Sequence, residues 1–131
     1  MTTYQSTASI AAQVVIDAAE RMGLRVSVVI LDATYTVSAA ARMDGAQPST
    51  YPAATGKAHA ALNFGAETAA VKTRIVPENR LALQLVEPRL LLVGGGVPLF
   101  REGAAIGALG VSGGSEDQDS ELARIGMELF A

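Results

Sequence analysis

The stretch from Gly94 to Asp119, GGGVPLFREGAAIGALGVSGGSEDQD, holds more than half of the 13 glycines of this 131-residue chain. They fall in short runs between apolar segments and a final acidic cluster, a punctuation that suits strands, tight turns and a helix start. Glycine lets backbone approach another group closely and take up positive φ, and a helix N-terminus presents N–H groups without intrahelical partners. A strand, a Ser-Gly-Gly turn and a helix start in succession therefore suit an oxygen-rich ligand near Gly110, Ser112, Gly113 and Gly114.

The rest of the chain supplies helices and strands to surround that stretch. Ser6 to Met22 reads as a helix, with Ile10, Val14, Ala18 and Met22 recurring every four residues, Ser6 or Thr7 as cap and Gly23 as stop. Arg25 to Asp32 alternates as a strand, with Val26, Val28 and Ile30 on one face and Val29 and Leu31 on the other. Thr36 to Met43 follows as a second strand across a turn at Asp32-Ala33-Thr34-Tyr35. After a loop from Asp44 to Ser49, Thr50 and Pro52 open an alanine-rich helix to about Asn63; shorter helices are expected over Glu67 to Arg74 and Pro77 to Val86, the second with Leu81 and Leu85 on one face. Three strands then come in quick succession, Leu90 to Val93, Val97 to Arg101 and Ala104 to Ser112. A last helix starts at a capping box, Ser115 with Gln118, and carries Leu122, Ile125 and Leu129 on its buried face. The order α-β-β-α-α-α-β-β-β-α predicts a single α+β domain over residues 1–131, built on a five-stranded antiparallel sheet flanked by helices.

Composition narrows the class of function. Half of the residues are apolar and 18% are charged, which argues for a well-buried chain that covers further surface between subunits of a homo-oligomer. The net charge of −3 comes without a basic block, so nucleic acid is not an expected partner. Cysteine is absent, in keeping with a reducing compartment. No apolar run is long enough to span a bilayer and no basic-then-apolar leader opens the chain, so the expectation is a cytoplasmic protein that does not engage a membrane.

Five segments together resemble the GlcG/HbpS-like family: Arg42-Met43-Asp44-Gly45-Ala46, Lys57-Ala58, Gly94 to Leu99, Gly107 to Gly114, and Gln118-Asp119. The family includes haem-binding accessory proteins and the C-terminal domain of PduO-type corrinoid adenosyltransferases. The resemblance runs from the first helix to the last and implies a profilin-like fold, homo-oligomers, and a pocket near the motif residues for haem, another tetrapyrrole or a different small ligand. This chain departs from the family pattern at three places. Ala33-Thr34-Tyr35 replaces a glycine-rich turn, Gly56 stands where a basic residue often precedes the family lysine, and His59-Ala60 replaces an aromatic or basic residue followed by threonine. Loss of that hydroxyl weakens a haem contact carried over from the family, whereas His59 adds an imidazole that can ligate iron or exchange protons.

The candidate groups each carry a plain structural alternative. His59 is the only histidine, without the partners of a metal site, yet one axial ligand suffices for haem; otherwise it is a surface or interface residue. Lys57 lies about 200° round the same helix from His59, so the two cannot face one narrow pocket. Set among alanines, Lys57 is either a desolvated anion hook, proton carrier or amine nucleophile, or a lysine snorkelling to solvent. Asp44 is a pocket-rim carboxylate or the start of an Asx turn, and Asp119 is a catalytic acid or a charge that complements the helix dipole. Acidic residues there oppose an anion on the same helix end, unless its charge meets Lys57 or Arg42 instead. Gly110 to Gly114 matches the spacing of a Gly-x-Ser-x-Gly elbow, but no histidine follows Ser112, which excludes a hydrolase triad. The triple glycine lacks the Lys-Ser/Thr of a phosphate loop.

Two functions remain. One is a cofactor-binding protein whose ligand meets His59, Lys57, Arg42, Gly110, Ser112, Gly113 and Gly114 in a pocket wide enough for a macrocycle. The other is an enzyme without a metal, an isomerase, lyase or hydratase, in which Lys57, Asp44 and Asp119 move protons in a narrow pocket. Both require the Lys57 helix to pack beside the final glycine turn so that they converge on one hollow.

Overall fold

The computed structural model describes residues 2–131. Helix α1 (Tyr4–Arg21) is capped by Thr3, whose hydroxyl accepts from the Ser6 N–H, so it begins earlier than a Ser6 or Thr7 cap would allow. Its buried face is also rotated from the expected one: Ala8, Ala11, Ala12, Val15, Ala18 and Ala19 are covered, while Ile10 stays 53% exposed. Five of those six residues are alanines, whose short side chains let the helix lie close on its neighbours. Gly23, at φ 73, ends the helix with the Leu24 N–H returning to the Ala19 carbonyl.

Strands β1 (Ser27–Asp32) and β2 (Val37–Arg42) form an antiparallel hairpin. In its turn, Asp32 Oδ1 accepts hydrogen bonds from the Thr34 N–H, the Thr34 hydroxyl and the Thr36 N–H. Those bonds, the Thr34 hydroxyl first among them, hold the Asp32 carboxyl below its ordinary pKa. Helices α2 (Thr50–Phe64), α3 (Thr68–Arg74) and α4 (Pro77–Val86) come next. Strands β3 (Gly96–Arg101) and β4 (Ala104–Ser112) follow, then α5 (Glu116–Met127), which starts at the Ser115–Gln118 capping box.

The sheet has four strands in the order β2-β1-β4-β3, every neighbouring pair antiparallel. The fifth strand expected over Leu90 to Val93 does not form. Its backbone is claimed elsewhere: the Leu91 N–H bonds the Gly56 carbonyl, and the Thr68 hydroxyl donates to the Val93 carbonyl while accepting from the Gly96 N–H. Leu90 and Leu92 meanwhile bury against Ala60 and Val71, so the alternation that looks like a strand serves a small core between α2 and α3.

The two faces of the sheet are covered differently. On one, Val28, Ile30, Val97, Leu99, Leu109 and Val111 pack against α1 and α5 in the larger core. On the other, Val29, Leu31 and Ala108 meet Ala54, Ala58 and Ala61 of α2. The expected faces of β1 are those observed. In α5, Leu122 is fully buried and Ile125 partly so, whereas Leu129 lies beyond the helix and is 38% exposed.

Close approach sets the position of α2. A Cβ on Gly110 would stand 2.0 Å from the Ala54 carbonyl oxygen, and one on Gly96 would stand 2.3 Å from that of Lys57. Gly110→Ala should therefore destabilise the fold by about 3 kcal/mol through overpacking. Gly103→Ala, at a positive φ in open space, should lose only about 1 kcal/mol, and urea denaturation of the two variants tests the difference.

Candidate functional site

The close seat of α2 carries Lys57 into the protein interior. Lys57 is 2% exposed, and its Nζ donates to the Val111 carbonyl and to Asp119 Oδ2, each at 3.0 Å. Asp119, also 2% exposed, accepts from the Gly114 N–H at its other oxygen, at 2.8 Å. The Lys57 helix and the glycine turn are therefore neighbours, and at Lys57 itself the space between them is taken up by the ion pair. A Cβ on Gly95 would reach to 3.0 Å of the Lys57 ammonium, so glycine there leaves the lysine its room. A buried ion pair of this kind adds little net stability, yet neither partner tolerates loss of the other.

The start of α5 is equally self-satisfied. The Ser115 N–H donates to Gln118 Oε1 and the Gln118 N–H to Ser115 Oγ, while the Gly114 N–H is held by Asp119. These amides serve the chain's own side chains, and the oxygen-rich ligand expected at them has no free donor among the three. Gly110 lies in the middle of β4 beneath Ala54 of α2, where its missing side chain serves packing. Ser112, Gly113 and Gly114 line an open cavity of about 580 Å³ with Arg25, Gln47 and Thr50. Gly113, at φ 144, is needed there because a Cβ would stand 2.3 Å from the Arg25 carbonyl oxygen.

Arg42 donates from its guanidinium to the Ala46 carbonyl at 2.7 Å, closing its own loop. Asp44 is exposed and shares a small cavity with Glu20 and Arg25. Lys57 lines neither of these cavities, so the structure joins Lys57 with Asp119 and leaves Arg42 and Asp44 in a separate loop.

His59 lies on the outer side of α2, as its rotation from Lys57 dictates. It lines a third cavity, of about 420 Å³, with Pro52, Gly56, Pro88, Arg89 and Leu91. Two side chains that the sequence did not single out stand beside it. The Tyr35 ring stacks on the imidazole with centroids 5.0 Å apart and planes 19° from parallel. Arg89 pairs with Glu87 and contributes positive charge at the ring. Partial burial, and then Arg89, push the His59 pKa below the ordinary histidine value, against a smaller opposing pull from Glu87. Gly56 makes this grouping possible, since a Cβ there would press on Leu91 Cβ at 2.9 Å and hold the 89–91 segment away from α2. No local spacing signals the Tyr35–His59 contact, because it joins a strand turn to a helix. Ala60, at the position of the family hydroxyl, points instead into the apolar cluster of Val71, Leu90 and Leu92.

Lys57→Met should leave Asp119 unpaired in the interior and destabilise the protein by about 3–5 kcal/mol. Lys57→Met with Asp119→Leu should recover a large part of that loss, and chemical denaturation of the single and double variants measures the coupling.

Comparison with known proteins supplies a context for this geometry. The model of the family described as haem degrading protein HbpS-like matches residues 4–128. The corrinoid adenosyltransferase PduO of Citrobacter freundii is 33% identical over 107 residues, which are 80% of this chain. The chain spans 32% of PduO and 65% of a second, uncharacterized Citrobacter freundii relative, so it corresponds to part of each. The crystal structure of a double mutant of Streptomyces reticuli HbpS has a TM-score of 0.88 at 32% identity, over 100% of this chain and 88% of that one. A PduOC–haem complex has a TM-score of 0.87 at 26% identity, over 98% of this chain and 94% of that one. Among the described residues no helix is long and apolar enough to cross a membrane. With a family match that covers nearly its whole length and a fold shared with HbpS and PduOC, the chain belongs to the HbpS-like family.

Proposed function

We propose that this protein binds haem or a related tetrapyrrole, and that the cavity beside His59 receives the macrocycle. The observation that carries the reading is a half-buried imidazole, biased toward its neutral form, set in a wall of Pro52, Pro88, Leu90 and Leu91 with the cation Arg89 on the same wall. A neutral imidazole nitrogen is a ligand for haem iron, apolar side chains suit a flat macrocycle, and a guanidinium suits its carboxylates. The residues present thus fit the group. His59 would hold the iron and Arg89 a propionate, while the bound haem would supply the redox and ligand chemistry of its iron. The haem complex of PduOC and the family description support the class of ligand.

A cavity of about 420 Å³ lies toward the low end of the ~300–1,000 Å³ typical of ligand sites and is open on one side. A homo-oligomer is part of the same reading. Helix α4 borders the cavity through Gln84 and buries none of its residues, leaving Leu81 and Leu85 61% and 75% exposed. An apolar helix face of that kind suits a contact between copies that would cover the open side. A single antiparallel sheet with helices on both faces also supports reading the fold as profilin-like.

The metal-independent enzyme is less well supported. It needs Lys57, Asp44 and Asp119 around one substrate, whereas Lys57 and Asp119 neutralise each other away from solvent and Asp44 stands apart on an exposed loop.

Titration of the purified protein with haem should shift the Soret band, and His59→Ala should weaken binding by at least about tenfold, the loss of one ligand bond worth 1.4 kcal/mol or more. An unshifted band on mixing rules out the haem reading. Because the folded protein favours neutral His59, affinity should hold at pH 7 and through the ordinary histidine value of about 6.5, and decline only as the pH falls through the lower value of folded His59. The unfolded chain takes up that proton more readily than the folded one, so His59 also draws stability down as the pH falls from about 6.5 toward that lower value, an effect that His59→Ala should remove from a pH series of unfolding midpoints.

A further inference from the structure

One face of the His59 ring is occupied by an aromatic side chain held in an unfavourable backbone conformation. Tyr35 sits in the β1–β2 turn at φ 65, a left-handed conformation that glycine takes freely and a bulky residue rarely adopts. Asp32 organises the turn, with its carboxylate accepting from the Thr34 and Thr36 N–H groups and its carbonyl accepting from the Tyr35 N–H at 3.0 Å. The phenol ring that this geometry presents is 37% exposed and takes no part in the apolar clusters of the core. Its stack on the imidazole, at 5.0 Å between centroids, is the contact that tyrosine gains and glycine would forgo.

We propose that Tyr35 is a positioning residue for His59, stacking on the imidazole so that the orientation in which it meets a ligand is set before the ligand arrives. The ligand in question is the tetrapyrrole of the preceding reading, on which this inference rests. A histidine on an open helix surface samples several rotamers, and binding through it must freeze them. A ring already stacked has lost that freedom in the free protein. The stack also withdraws one face of the imidazole from water, while the charged groups that act on the ring are Arg89 and Glu87 from the segment after α4.

Tyr35→Gly and Tyr35→Phe separate the ring from the backbone and from the hydroxyl. In the haem-free protein, Tyr35→Gly should move the His59 ring-proton resonances by removing the ring current and raise the titration midpoint of His59, with no loss of thermal midpoint because the turn is relaxed. Tyr35→Phe should keep the wild-type resonances. Haem should bind Tyr35→Gly roughly three- to tenfold more weakly than wild type, the range expected for one aromatic stack, and Tyr35→Phe about as well as wild type. Unchanged His59 resonances in Tyr35→Gly, or equal weakening by glycine and phenylalanine, would overturn the proposal. If wild type shows no Soret shift, the haem reading falls, and the His59 resonances of the haem-free variants still decide whether Tyr35 holds the imidazole.

Discussion

The structure depends on the distance between α2 and the sheet. Gly96 and Gly110 present bare backbone to a helix face built from Ala54, Ala58 and Ala61, and the carbonyls of Ala54 and Lys57 lie where side chains would otherwise stand. At that separation a lysine can pass beside the sheet edge and reach Asp119 on a different element. Gly96 and Gly110 of the long Gly-rich stretch thus act on the packing of a helix, and through it on the placing of two side chains with opposite fates.

Those fates follow from helix geometry. Lys57 and His59 share α2 but point to different sides, one into an interior where charge must be paired and one toward an outer cavity where it need not be. The inward residue ties α2 to the start of α5 and the end of β4. The outward residue lines that cavity, with Tyr35 brought from the β1–β2 turn and Arg89 from the segment that Gly56 admits. A rigid inner lock and an accessible outer ring are complementary, because a binding side chain is most effective on an element that does not move.

Local chemistry was legible where neighbours in sequence decide it. The capping box of Ser115 and Gln118, the two faces of β1 and the stop at Gly23 each depend on residues a few positions apart. The α1 face and the Leu90 to Val93 segment differ from the expectation for related reasons: apolar spacing marks side chains that could be buried, but neither which of them are covered nor what covers them. Ile10 stays exposed while Ala8, Ala11 and Ala12 are covered, and Leu90 and Leu92 find cover under α2 and α3 instead of in the sheet. The site residues divide likewise. Lys57 among alanines already suggested desolvation, whereas its pairing with Asp119 and the separation of both from Asp44 and Arg42 emerge only from how the elements pack.

By itself, the sequence determined the α+β class and the order of the elements apart from the Leu90 to Val93 strand, the helix that carries both Lys57 and His59, the angle between them and the family to which the motifs belong. Each follows from short-range periodicity, capping or motif identity. Only the tertiary structure decided that Lys57 pairs with Asp119 beside the glycine turn, and that Tyr35 and Arg89 gather round His59. Those contacts join residues that no local pattern relates, and they exist because backbone without Cβ atoms lets a helix, a turn and a loop meet at van der Waals distance.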